Sequence, residues 1–299
     1  MKPRAIGYWL EAAAVRAALA LVRALPPVAA SDLGGAVARA IGPLLPVSSV
    51  ADANLRLALP ELDPASRRRI VRGVWDNLGR TAAELAHLHR LRPTAAGPGW
   101  DIAGEGTLRA VVAGGGPAIF FSGHIANWEM LSMVPNRLGI RLASFYRAAT
   151  NPLVDRVIQR LRQRAAGSAV PQFAKGAAGA RAAMAYLKDG GFLGMLVDQK
   201  MNDGIAAPLF GHQAMTAPAA AAFALRYHAP LVPVHVERLG PLRFRLIVEQ
   251  PLPLPDTGDR HADVAALTAA MNACLERWIR ECPESWLWLH RRWPKELYS

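Results

Sequence analysis

Cysteine is scarce: Cys274 and Cys282 are the only two among 299 residues. Both fall on one expected C-terminal helical stretch, with no histidine at zinc-ligand spacing, so free thiols in a reducing compartment are the simpler expectation. GxGxxG, GxxxxGK[ST] and GxSxG are missing from any strand-to-helix context, which leaves dinucleotide, nucleotide and hydrolase-elbow sites unsupported. HExxH spacing and a third metal ligand are missing too, so a metal-dependent hydrolase lacks its ligand set. No long unbroken apolar run opens the chain. The stretch from Ala5 to Leu25 is interrupted by Glu11, Arg16 and Arg23 and has no clear cleavage site, which argues against a cleavable signal peptide and a simple spanning helix. Acids are short of bases, 23 against 35, giving a net charge of +12. That excess calls for an anionic partner, and by itself it allows nucleic acid or a membrane surface equally.

What is present is a core. At 52% hydrophobic over 299 residues, the chain suits one large α/β domain or such a domain with an added helical part. Its N-terminal stretch has a helical pattern, with Ile6, Trp9, Leu10, Leu21, Val22 and Leu25 as the larger apolar residues, ended by Pro26-Pro27. Such a helix lies in a membrane interface with Tyr8 and Trp9 near the headgroups and Arg4, Arg16 and Arg23 toward anionic lipid, or packs as an ordinary amphipathic helix. Further helices are expected from Ser31 to Pro46 and from Pro64 to about Leu91. After Pro93 short strands and helices alternate, with strands at Trp100 to Ala103, Ala118 to Phe121, Leu142 to Tyr146, Gly191 to Val197, Leu231 to Val236 and Phe244 to Val248. This alternation predicts an α/β fold with a mostly parallel central sheet flanked by helices. The expected division is residues 1–30 as the N-terminal helix and 31–299 as a single α/β domain.

The chemistry centres on Pro117 to Met130, PAIFFSGHIANWEM. A buried strand delivers the chain to a helix start, and His124 lies between them, where open α/β sheets place ligands. Glu129 follows five residues later. On one continuous helix the two would point away from each other at about 100° per residue. With His124 in the turn and Asn127 as the helix cap, the ring folds back and takes its orientation from the Glu129 carboxylate. One ring nitrogen is then fixed and the other is free as a base, at a reference pKa near 6.5 that leaves most of it neutral around pH 7. Unpaired amides of the turn, or a nearby cation, would hold a developing oxyanion.

Other polar residues are expected at strand ends. Arg147 follows the strand ending at Tyr146, and its guanidinium suits a phosphate or carboxylate. Asp198-Gln199 ends a buried strand and faces the same crevice; Asp198 orients a sugar hydroxyl, buttresses an arginine, or caps structure. His235, inside a strand pattern, reads as a packed core histidine. The arginines of the helix from Asn151 to Ala166 include Arg162 and Arg164.

SGHIANWEM resembles the His-x4-Asp/Glu block of the bacterial lipid A biosynthesis acyltransferases of the lauroyl/myristoyl type. Further blocks agree in order: Trp75 to Arg80 with Glu84 beyond, Tyr146-Arg147 followed by Asn151 to Asp155, Asp198-Gln199 with Pro208-Leu209-Phe210-Gly211, and PESWLWLHRRW from Pro283 to Trp293. The resemblance departs at Ala165-Ala166 and Leu209, where that family has an aromatic with a glycine, and a second phenylalanine. It implies a glycerol-3-phosphate acyltransferase-like fold with an N-terminal membrane-associating part. It implies transfer of a fatty acyl chain from acyl carrier protein to a hydroxyl of a lipid A precursor or related anionic glycolipid, with His124 and Glu129 catalytic and no cofactor or metal. Arg147, Arg164, Asp198 and Gln199 would bind substrate, with Glu84, Asn127, Arg162 and Arg291 as further site residues. The three tryptophans of the C-terminal block suit a lipid headgroup boundary or core packing with a basic rim. The implied location is the cytoplasmic face of the inner membrane, without nucleic acid. A non-catalytic lipid- or nucleic-acid-binding protein of the same fold is the alternative reading.

Overall fold

The structure, a computed structural model, describes residues 3–298, with side chains described from Ile6, so the expected role of Arg4 lies outside the described residues. Four helices come first: α1 (Pro3–Ala24), α2 (Pro27–Ile41), α3 (Ser48–Ala58) and α4 (Pro64–Glu84). Then follow β1 (Gly99–Ala103), α5 (Glu105–Ala113), β2 (Ala118–Ser122), α6 (Met130–Arg137), β3 (Leu142–Tyr146), α7 (Pro152–Ala166), β4 (Gln172–Ala174), α8 (Ala177–Lys188) and β5 (Phe192–Leu196). The chain closes with β6 (Lys200–Leu209), β7 (His212–Thr216), α9 (Ala219–Tyr227), β8 (Leu231–Gly240), β9 (Arg243–Val248) and α10 (Arg260–Glu281). Prolines at the first helical position open α2, α4 and α7, and Asp63, Asn151 and Asp259 cap α4, α7 and α10 through their side chains.

Seven strands form one sheet in the order β1-β9-β8-β2-β5-β3-β4. The run from β8 to β4 is parallel, β9 turns back antiparallel to β8, and β1 pairs parallel to β9. Every residue of β2 is buried, as expected of a parallel strand covered on both faces. One face packs Phe121, Leu193, Met130 and Leu275 into the main core, and the other sets Phe120, Ala118 and Val232 against Leu108 of α5. Three elements escape the sequence pattern. β4 is only three residues long, α3 is bracketed by prolines, and the β6–β7 hairpin reads as a loop because Asp203, Gly204 and Pro208 interrupt its strand signal. The helix expected to reach Leu91 ends at Glu84 and gives way to a 3-10 turn at Leu88–Arg90.

No single helix among the described residues is long and apolar enough to cross a membrane. Nor is α1 detached from the domain. Asn151 donates to Tyr8 O and Glu11 Oε2, both at 2.9 Å, and the buried His87 ring lies 3.0 Å from Val22 O. Its outer side exposes Ile6, Trp9, Leu10 and Leu21. The boundary expected at residue 30 falls within α2, which crosses α4 so closely that a Cβ on Gly34 would lie 2.6 Å from Gly79 O.

The C-terminal tryptophans are core. Trp286, Trp288 and Trp293 are buried, with Trp286 edge-on to Trp288 at 4.6 Å. Their indole nitrogens donate to Asp198, to Pro283 O and to Leu209 O respectively. Arg292 between them is buried as well, bonded to Met215 O and Thr216 Oγ1, and burial brings its pKa down to about 10. Buried, and with each indole N–H paired inside the protein, these tryptophans present no surface to a headgroup boundary.

Candidate active site

The adjacency of β2 and β5 creates the site. Ser122 at the end of β2 pairs with Leu196 at the end of β5, so the chain leaving each strand reaches the same edge of the sheet two residues later. There His124 and Asp198, 74 residues apart, meet: His124 Nδ1 lies 2.8 Å from Asp198 Oδ1, and the His124 amide donates to Oδ2 at 2.9 Å. Trp286 Nε1 donates to the same Oδ2 at 2.8 Å. A Cβ on Gly123 would come within 3.3 Å of Asp198 and 3.0 Å of Leu275, so glycine is what allows the turn to pass so near the carboxylate.

The expected partnership of His124 with Glu129 is therefore corrected. Glu129 turns to Arg162, which grips both carboxylate oxygens at 2.8 and 2.6 Å. A bidentate guanidinium fixes a carboxylate in plane, and it leaves Glu129 acting on His124 only through its charge. Arg162 commits its Nε and Nη2 to this pair. The α6 helix also starts later than Asn127 as its cap would require: it begins at Met130, and Asn127 Oδ1 instead accepts from the Glu129 amide at 3.2 Å, closing a turn ahead of the helix.

Electrostatics follow from this geometry. Burial by itself pushes the His124 pKa down, but the charge and hydrogen bond of Asp198 outweigh it, and the net displacement is upward. Burial pushes Asp198 up, and the His124 charge and hydrogen bond reverse that, holding it well below the usual carboxylate range. The neutral fraction of His124 near pH 7 is thus smaller than the reference value implies. Its Nε2 has no hydrogen-bond partner among the described residues, and the side chain is 17% exposed, edge-on to Trp128 at 5.3 Å. The ring is oriented at one nitrogen and available at the other, the state a general base needs.

The turn itself is tightly held. Ala126 sits at φ 48°, a left-handed conformation costly for a residue with a side chain. Its amide donates to Ser285 O at 2.9 Å, and its carbonyl accepts from Asn77 Nδ2 and Thr81 Oγ1. The Leu287 amide donates to His124 O, tying the C-terminal segment to the turn. Because the amides of His124, Ile125 and Ala126 are all engaged internally, they are not the oxyanion donors that a bare turn promised. One nearby cation is Lys175. It follows β4, the outermost parallel strand, and its charge acts on His124. A three-residue strand before Lys175 gives almost no sequence signal, so no local pattern points to it.

The remaining predicted residues divide. Arg147 and Arg164 are exposed and have no ion-pair partner among the described residues. Gln199 is half-buried beside Asp198. Glu84 is fully buried and bonded to Ser31, Asn127 and Arg238, so it holds structure and does not meet substrate. Arg291 is exposed, with its guanidinium 5.7 Å from the centre of the Tyr298 ring. His235 is core, stacked on Trp278 at 4.5 Å, and burial lowers its pKa to about 4. No group of three His, Cys, Asp or Glu side chains gathers in a metal-holding arrangement among the described residues.

A search of curated proteins returns no match. The family model described as bacterial lipid A biosynthesis acyltransferase matches residues 1–295. A match over nearly the whole length, with the histidine of its motif block brought to the end of a parallel strand, settles the assignment: the chain belongs to the bacterial lipid A biosynthesis acyltransferase family.

Proposed function

We propose that this acyltransferase moves a fatty acyl chain from the thioester of acyl carrier protein to a hydroxyl of a lipid A precursor or a related anionic glycolipid, with His124 as general base and Asp198 as its orienting carboxylate. The observation that carries this reading is the 2.8 Å contact between His124 Nδ1 and Asp198, with Nε2 left open at the strand ends. Nε2 takes the proton of the acceptor hydroxyl as its oxygen attacks the thioester carbonyl. The oxyanion so formed collapses, the carbon–sulfur bond breaks, and the imidazolium returns the proton to the departing thiolate. Asp198 stabilises the imidazolium between those two events. Lys175 favours the negatively charged intermediate from the β4 end, as fixed positive charge does where an oxyanion develops.

Substrate contacts follow from exposure and charge. Arg147 and Arg164 bind acceptor phosphate, since their guanidinium groups are exposed and uncompensated. Leu196 and Met201 expose apolar surface on either side of Asp198, and with Trp128 they receive the acyl chain near the base. The enzyme works at the cytoplasmic face of the inner membrane, on which the exposed Ile6, Trp9, Leu10 and Leu21 of α1 and the exposed Leu33, Val37 and Ile41 of α2 lie, with Arg16 and Arg23 toward anionic headgroups. The test is acyl transfer by the purified protein from acyl carrier protein to a lipid A precursor, read by the mass of the product. The reading requires one added acyl chain with wild-type protein and none with folded His124→Ala; equal product from both contradicts it.

A further inference from the structure

The residues that hold the His124 turn share one face of α4. Asn77, Thr81 and Glu84 are spaced at i, i+4 and i+7, which brings them to the same side of a helix. Asn77 and Thr81 bond the carbonyl of the strained Ala126, and Glu84 Oε2 accepts from Asn127 Nδ2 at 2.8 Å. A single side chain from far along the chain contacts all three. Arg238 leaves the sheet on β8, donates through Nε to Asn77 Oδ1 at 3.2 Å, through Nη2 to Thr81 Oγ1 at 3.3 Å and to Glu84 Oε2 at 3.0 Å, and through Nη1 to Glu84 Oε1. Its guanidinium is also 5.0 Å from the centre of the Phe244 ring.

We infer that Arg238 is a positioning residue for acyl transfer, fixing the three α4 side chains that hold the Ala126-Asn127 turn and so aim the His124 ring. This rests on the reading of His124 as the base. The physical reasons are two. Glu84 is fully buried, and a buried carboxylate is tolerable only with its charge matched and its lone pairs filled. The planar fork of Arg238 does this while leaving one line of bonds toward Asn127 and another, through Asn77 and Thr81, toward Ala126. Without it, Asn77 and Thr81 are free to take other rotamers, and the left-handed Ala126 loses its two carbonyl bonds from α4, keeping its amide bond to Ser285 O. The same Glu84 Oε1 accepts from Ser31 of α2 at 2.7 Å, so α2 is tied into this network. Arg238 contacts the turn only through α4, and is not itself a catalytic residue.

The experiment compares Arg238→Lys, which keeps the charge and loses the fork, with Glu84→Gln/Arg238→Gln, which removes both charges and leaves no buried ion unpaired. Each is measured for thermal midpoint, for kcat and KM, and for the pH titration of the His124 ring by NMR of histidine-labelled full-length protein. A misaimed base lowers kcat with little change in KM, by about tenfold to a hundredfold for displacements near an ångström. We expect both variants to stay folded, to lose kcat in that range with KM within about twofold, and to show a moved His124 resonance. Folded variants with wild-type kcat and an unmoved His124 signal overturn the inference, as does a loss of activity that only tracks the unfolded fraction. The NMR arm stands apart from turnover. If wild-type protein transfers no acyl chain, the functional reading fails, while the His124 signal still reports whether Arg238 positions the ring.

Discussion

Asp198 at the end of β5 and Glu129 at the entrance to α6 both act on His124, yet the first is bonded to its ring and the second is bonded away from it. Nearness in sequence favours Glu129, five positions along. Adjacency in the sheet favours Asp198, 74 positions along. The sheet wins because parallel pairing of β2 with β5 brings two chain exits to the same edge, whereas a carboxylate at the start of a helix is drawn to whichever guanidinium the neighbouring helix offers, here Arg162 of α7. In the proposed mechanism the two acids divide the work: one sets the base, and the other braces the wall of the site.

That division orders the expected effects of substitution. His124→Ala removes the base and lowers acyl transfer by about 10⁴-fold, measured on folded protein at saturating donor. Asp198→Asn keeps the shape but no longer stabilises the imidazolium, and costs about 10³-fold in kcat. It also moves the pH profile. The base works when neutral, and Asp198 raises the His124 pKa against burial, so wild-type activity climbs with pH through a midpoint above the ordinary histidine value. Without the carboxylate's charge, burial prevails and the midpoint falls. Glu129→Gln and Arg162→Gln break the brace, each lowering kcat by about tenfold, and the double variant loses little more than either single, because the two residues act as a pair. Arg147→Gln and Arg164→Gln are expected to have the smallest effects, raising the KM for a phosphorylated acceptor about threefold while kcat holds, with a dependence on salt that a merely structural change would lack.

Much of this was legible from residues in isolation. The apolar run Ala118 to Phe121 announced β2, and with it the placement of His124 at a strand end. Asp198 was visible for the same reason, at the end of the run from Phe192. What no local pattern carries is the order of strands in the sheet, and the pairing of those two residues depends on nothing else. The misassigned partner of His124 and the unforeseen influence of the Lys175 charge on it are both consequences of that gap. Arg238 was hidden differently: it lies beyond the apolar run Leu231 to Val236, where a charged residue reads as the solvated end of a strand. The C-terminal block was recognised by its residues while its placement stayed open, because tryptophans beside arginines suit a membrane boundary and a core equally until the indole nitrogens are seen to have partners.

The most direct test sets Asp198→Asn beside Glu129→Gln and follows kcat/KM against pH for both. An Asp198-oriented base predicts that the midpoint drops in Asp198→Asn together with a large loss of rate, while Glu129→Gln stays close to the wild-type midpoint at a modest loss. A midpoint that moves with Glu129 and is indifferent to Asp198 would contradict it.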